Sequence, residues 1–231
     1  MAKPNSTKLL DETLAQLLSQ GQIKTIYDIG ANKGDWTSSY SKKIAGAEFH
    51  MFEANTSIQK PIGCGHWHQI ALGKENGAKK DFFVSPFFEG AGNSFYRENS
   101  ELYQNKDQKI KLVTYELDSY VEEKRLRMPD FIKIDTQGSE LDILSGSSKC
   151  LNHCSVIMSE VPIVQYNEGA PSLPEYISFM KSHSLVPVGI EEIHILDSIL
   201  VQIDIVFVKE ISVKRYLKPI NPIGWSLNIN W

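Results

Sequence analysis

The chain has 231 residues, of which 42% are apolar, 23% charged and 10% aromatic, with a formal net charge of −4. These proportions exclude disorder, a collagen-like repeat and a coiled coil, and the length suits one large domain burying about 70% of its unfolded surface. No basic block is present to neutralise phosphates, the few cysteines make no disulfide framework, and the start has no signal-peptide layout, so nucleic acid is set aside as a partner and a cytoplasmic location is expected.

Along the chain, Leu10, Leu14, Leu17 and Leu18 recur at helical spacing within 6–20, and Gly21 is placed to stop that helix. A β-branched run, 23–29, ends in Asp28-Ile-Gly-Ala-Asn-Lys-Gly34, after which Trp36, Tyr40 and Ile44 return to helical spacing. The pattern predicts strand, glycine loop and helix. Further strands are expected over 47–52, stopping at Glu53, over 66–72, and over 82–84. The polar stretch 85–109 has no periodicity and reads as a long loop, a candidate lid carrying Asn93 and Ser94. Beyond it come a strand over 110–115, a helix capped by Asp118, a buried strand over 131–134 ending at Asp135, and a helix opened by Gly138. Strand 155–159 ending at Glu160, helix 174–182, and strands 185–190 and 200–208 continue the alternation. The longest apolar stretch, 199–208, is broken by Gln202 and Asp204 and is too short to span a bilayer. Alternating strands and helices of these lengths predict an α/β fold with a mostly parallel sheet and helices on both faces. The expected organisation is one domain over 1–231, with an N-terminal helix in 1–22, a core over 23–209 and an irregular tail over 210–231 that carries Trp225 and Trp231.

Ligands of open parallel sheets bind beyond the carboxyl ends of the strands, where this chain places its unusual residues. Gly30 and Gly34 permit a tight turn, and Glu53 ends the second strand where a carboxylate can take both hydroxyls of a ribose. A dinucleotide loop needs a middle glycine that is missing here, so NAD is disfavoured. Asp28 beside the loop repels phosphate and suits a cationic ligand such as S-adenosylmethionine.

Three segments, Asp28-Ile-Gly-Ala-Asn-Lys-Gly34, Phe52-Glu-Ala-Asn55 and Phe131-Ile-Lys-Ile-Asp-Thr-Gln-Gly-Ser-Glu140, resemble the FkbM family of S-adenosylmethionine-dependent methyltransferases. The resemblance implies a Rossmann-like class I methyltransferase fold, with a seven-stranded sheet in the order 3-2-1-4-5-7-6, and O-methylation of a sugar or related metabolite. By that similarity Asp28, Gly30, Asn32 and Gly34 line the methionine end, Glu53 holds the ribose and Asn55 follows at the adenosine side. The chain departs from the family pattern at Ala54, where Pro is common, and at Gln137, where Glu is common. The second change puts in doubt any acid-base role at that position.

Methyl transfer to an aliphatic hydroxyl needs in-line positioning and removal of a proton. Asp135 and Glu160 are the candidate catalytic residues, Asp135 as base and also beside the cofactor, or the two together as ligands of Mg²⁺. Asp135 can instead cap the following helix, and Glu140 can be a first-turn acid favoured by the helix dipole. His66 and His68 share a strand face but lack an acidic third ligand, and Cys150, His153 and Cys154 lack a fourth, so no metal-ligand set is assigned. The expected partner is a small-molecule or glycan acceptor. The alternatives are a polyketide or lipid hydroxyl as acceptor, or a cofactor-binding partner subunit without transfer activity.

Overall fold

The computed structural model describes residues 9–63, 65–85, 90, 92–99 and 108–216. Helix α1 (Leu9–Ser19) leads into β1 (Thr25–Ile29), α2 (Asp35–Lys43), β2 (Glu48–Glu53) and β3 (His66–Gln69). Short β4 (Ala71–Leu72), β5 (Lys79–Val84) and β6 (Gln108–Tyr115) precede α3 (Leu117–Lys124) and β7 (Phe131–Ile134). Helices α4 (Glu140–Ser145) and α5 (Ser148–His153), strand β8 (Val156–Pro162), helix α6 (Leu173–Ser182), strands β9 (Leu185–Leu196) and β10 (Ile199–Lys209), and helix α7 (Glu210–Tyr216) complete it.

Seven strands form the main sheet in the order β3-β2-β1-β7-β8-β10-β9, with β10 antiparallel to both neighbours and the other pairings parallel. In sequence order among these strands this is 3-2-1-4-5-7-6, the order that the resemblance implies. Every residue of β1 and β7 is buried, as helices on both faces require. Strand alternation divides the core between the faces. Tyr27 and Ile132 join a cluster with Leu117, Leu144, Leu151 and Tyr176. Ile26 and Phe131 point the other way, onto Leu10, Leu14 and Leu17 of α1 and Tyr40 of α2.

Several expectations are corrected. The strand expected over 66–72 divides at Ile70, because β3 pairs with β2 whereas β4 pairs with β6 in a separate three-stranded sheet. Strand β8 does not stop at Glu160 but continues to Pro162, with Glu160 paired to Asp204 across β10. Strands β9 and β10 outrun their expected limits and meet at Asp197 and Ser198, whose φ values of 47° and 68° suit the tight turn of a twisted hairpin. Helix α7 occupies the start of the tail expected to be irregular. Asp118 lies inside the first turn of α3 rather than before it, and its carboxylate accepts hydrogen bonds from Lys149 N–H (2.6 Å) and Cys150 N–H (3.0 Å), so it caps α5 instead. Trp225, Trp231 and residues 1–8 lie outside the described residues.

The described part of the long loop is pinned to the body. Ser94 and Phe83 exchange backbone hydrogen bonds, the Ser94 hydroxyl donates to Gln137 O (2.7 Å), and Glu98 bridges to Asn167. Among the described residues no helix is long and apolar enough to cross a membrane.

Candidate active site

A cavity opens at the carboxyl ends of β1, β2 and β7, bordered by Gly30, Asn32, Glu53, Asp135 and Thr136, with Phe82, Phe95 and Ile143 as apolar wall. Its floor is set by backbone approach. Gly30 adopts φ +75°, and a Cβ there would lie 1.8 Å from the carbonyl oxygen of Asp135, so the β1 and β7 ends meet only because residue 30 has no side chain. Glu53 at the end of β2 is gripped from both sides, accepting from Asn32 N–H at one oxygen (2.8 Å) and from Asn55 N–H at the other (2.7 Å). Burial pushes the Glu53 carboxyl above its ordinary pKa, and those amides and Lys133 pull against it. The side-chain oxygen of Asn32 is buried and has no hydrogen-bond partner among the described residues.

Asp28 does not border this cavity. It is fully buried, accepts from the Thr37 hydroxyl of α2 (2.7 Å) and lies 3.2 Å from Lys133 Nζ. Its charge is matched by a lysine, so it gives the loop no unbalanced preference for a cation. Gly34 also lies off the cavity; at φ +77° it starts α2, with a would-be Cβ 2.8 Å from Pro61. Asn55 contributes its backbone N–H to Glu53, while its side-chain oxygen accepts from Ser57 N–H (2.9 Å) in a local turn.

The other half of the site is built from side chains. Asp135, 38% exposed, lies 3.7 Å from Lys133 Nζ and accepts from the Gln137 amide (3.1 Å). The same amide donates to Glu160 (2.7 Å), whose second oxygen accepts from Gln202 of β10 (2.6 Å). Tyr166 donates its hydroxyl to Gln202, closing the network. Burial first, then Asp135, Glu140 and Asp204, push the Glu160 carboxyl well above its ordinary range. Glu160 is therefore a buried group behind Gln137 and does not border the cavity. The Mg²⁺ reading gains nothing from this geometry, because an amide stands between the two carboxylates and donates to both.

Glu140 is fully buried and holds the loop after β7, accepting from Thr136 N–H (2.6 Å), Gly138 N–H (3.0 Å) and the Tyr176 hydroxyl (2.5 Å). Sequence reasoning missed Lys133, Gln202 and Tyr166. Only Lys133 carries a signal, being a charge inside an apolar strand run, which folded chains permit when the charge is paired. Burial works to lower the Lys133 pKa, but Asp28 and Asp135 overcome it and raise it.

The methyltransferase FkbM domain matches residues 28–185. The chain is 25% identical to the 2-O-methyltransferase NoeI of Sinorhizobium fredii over 211 residues, covering 82% of this chain and 85% of that protein. Similar solved structures include the methyltransferase FkbM of Methylobacillus flagellatus, with TM-score 0.46, 14% identity and 80% of this chain covered. The chain spans 44% of that protein's length. Magnesium protoporphyrin IX methyltransferase of Synechocystis is also similar, with TM-score 0.47, 8% identity, and coverage of 87% of this chain and 78% of that one.

Proposed function

We propose that this chain, which belongs to the FkbM methyltransferase family, holds S-adenosylmethionine in the cavity between the β1 and β7 ends and methylates a hydroxyl of a sugar or glycosylated metabolite. The observation that carries this reading is Glu53, a buried carboxylate fixed by two backbone amides at the edge of the cavity. Its remaining lone pairs suit the paired hydroxyls of a ribose. The unpartnered Asn32 oxygen suits an ammonium donor, and Phe82, Phe95 and Ile143 suit an aromatic base, so the residues present fit the cofactor. When bound, S-adenosylmethionine supplies an electrophilic methyl group on a sulfonium.

Asp135 is the one carboxylate of the β7–β8–β10 network that borders the cavity, and it takes the proton from the acceptor hydroxyl. Lys133 and Gln137 fix its orientation. Glu160 acts through Gln137 and is a positioning residue. Oxygen as the methylated atom is supported by the similarity to a 2-O-methyltransferase, and the sugar acceptor by the family resemblance.

Calorimetric titration with S-adenosylhomocysteine tests the cofactor site. Glu53→Ala should weaken binding about tenfold or more, the scale of about 1–2 kcal/mol for a lost charged acceptor. No binding to folded wild-type chain overturns the reading. Transfer of labelled methyl to a panel of sugars, with polyketide and lipid hydroxyls alongside, then tests the acceptor class; transfer only to the latter two overturns the sugar assignment.

A further inference from the structure

The outer edge of the main sheet carries a second cluster, towards the opposite end of β2 from Glu53 and about 10–16 Å away by strand rise. Glu48 and His50 are two residues apart on β2 and so share a face, and the parallel register sets His66 of β3 beside His50. The rings of His50 and His66 stack at 4.8 Å. Both Nε2 atoms converge on one oxygen of Glu48, at 3.3 Å from His50 and 3.4 Å from His66. The three donor atoms lie within 4.8 Å of one another.

Two details separate this cluster from an ordinary surface ion pair. The His50 side chain is 3% exposed, yet among the described residues its Nε2 makes no hydrogen bond, and it faces the Glu48 oxygen. Bond lengths of about 2.0–2.2 Å from imidazole nitrogen and carboxylate oxygen to zinc, at tetrahedral angles, put neighbouring donors about 3.3–3.5 Å apart. The observed spacing of each imidazole nitrogen to Glu48 is that of two ligands on one ion. Behind the cluster, His50 Nδ1 lies 2.9 Å from His68 Nε2, and His68 Nδ1 lies 3.2 Å from the Tyr120 hydroxyl of α3. Of the two tautomer sets that satisfy these contacts, one has Nδ1–H of His50 donating to His68 and Nδ1–H of His68 donating to Tyr120, which leaves the His50 Nε2 lone pair for a metal. Outer partners of this sort orient a metal-binding imidazole.

We propose that Glu48, His50 and His66 form a site for a zinc-class divalent ion that fastens edge strand β3 to β2, separate from the methyl-transfer site. His66 is 61% exposed, which leaves the fourth position open to water. The sequence offered His66 and His68 without an acid; the register shows that the acid and the buried imidazole come from the neighbouring strand, and that His68 orients His50 rather than joining the ligands.

The test is titration of the untagged full chain with Zn²⁺, read by calorimetry and by the melting temperature, with Co²⁺ as a spectroscopic probe. Wild type should take up one ion, melt at a higher temperature with zinc present, and give the strong visible bands of four-coordinate cobalt. His66→Ala at an exposed position and Glu48→Gln at a half-buried one should keep the fold while weakening uptake about 100-fold. His68→Phe should weaken it about 10- to 100-fold through loss of orientation. His153→Ala, at an unrelated exposed histidine, should change nothing. No uptake by wild type, or uptake that His66→Ala and Glu48→Gln leave unaltered, overturns the proposal.

Discussion

The two halves of the active site are held by different means. On the β1–β2 side Glu53 is fixed by the amides of Asn32 and Asn55, and Gly30 brings the β1 end against Asp135. On the β7–β8–β10 side Asp135, Glu160 and Gln202 are joined through side-chain amides, and the buried Lys133, 3.2 Å from Asp28 and 3.7 Å from Asp135, also feels the charges of Glu160 and Asp204. A backbone grip tolerates no change at the glycine, while its acid needs no other side chain. A side-chain network places a reactive group accurately and leaves an excess of buried negative charge, whose cost rises with pH.

The largest expected effect lies on the backbone side. Gly30→Ala must relieve a 1.8 Å overlap with the Asp135 carbonyl and a left-handed φ at once, so unfolding in urea should show a loss of more than about 4 kcal/mol. A Gly30→Ala chain of wild-type stability would break the contrast at its strongest point. On the other side, Asp135→Asn keeps the shape and removes the carboxylate proposed as the base. Turnover should fall about 10²- to 10⁴-fold, while affinity for S-adenosylhomocysteine stays within about threefold. An equal loss in both would place Asp135 with the cofactor half.

The same contrast explains what the sequence makes legible. The glycine loop, the end of β2 at Glu53 and the buried β7 are local patterns, since an apolar run that ends in glycine or acid marks a strand's carboxyl end wherever the strand goes. The break at Ile70 is not local, because no glycine, proline or acid marks it while the pairing partners change. Val161-Pro162 resembles a strand ending, yet β8 continues because Pro162 lies opposite Gln202 in an antiparallel pairing at its last residue. Asp28 looked like a ligand-facing acid until its distance to Lys133 was known. Glu160 looked catalytic until Gln137 and Gln202 were seen to enclose it, and no spacing in the chain forecasts that these two amides converge.

Asp204 tests the charge excess directly. Burial, followed by Asp135, Glu192 and Glu191, raises its pKa from 3.8 to about 8 against the opposing pull of Lys133, and one of its oxygens has no hydrogen-bond partner. Between those values the unfolded chain has released the proton and the folded chain still holds it. Stability from this group is thus complete below about pH 4, falls as pH rises towards 8 and levels off above. Asp204→Asn removes that slope. Its stability relative to wild type should rise from pH 5 to pH 8 by up to about 1.4 kcal/mol per pH unit, on top of a pH-independent cost of seating the new amide protons. Parallel urea midpoints for the two chains across this range would exclude the buried charge as a source of pH dependence.

The smallest effect is expected where a long-range side chain does local work far from the chemistry. Ser147 occupies the position before α5 where a hydroxyl often caps the first amides, but its hydroxyl donates to Ile143 O (2.6 Å) and makes no cap. Asp118 supplies the missing acceptor from α3, taking both Lys149 N–H and Cys150 N–H. Asp118→Ala leaves those amides to water and removes an acid from the first turn of α3, for a combined cost of about 1 kcal/mol. Asp118→Asn keeps an acceptor and should recover part of that loss. The urea midpoint should shift accordingly in both variants with methyl transfer unchanged, because neither α3 nor α5 contributes a residue to the cavity.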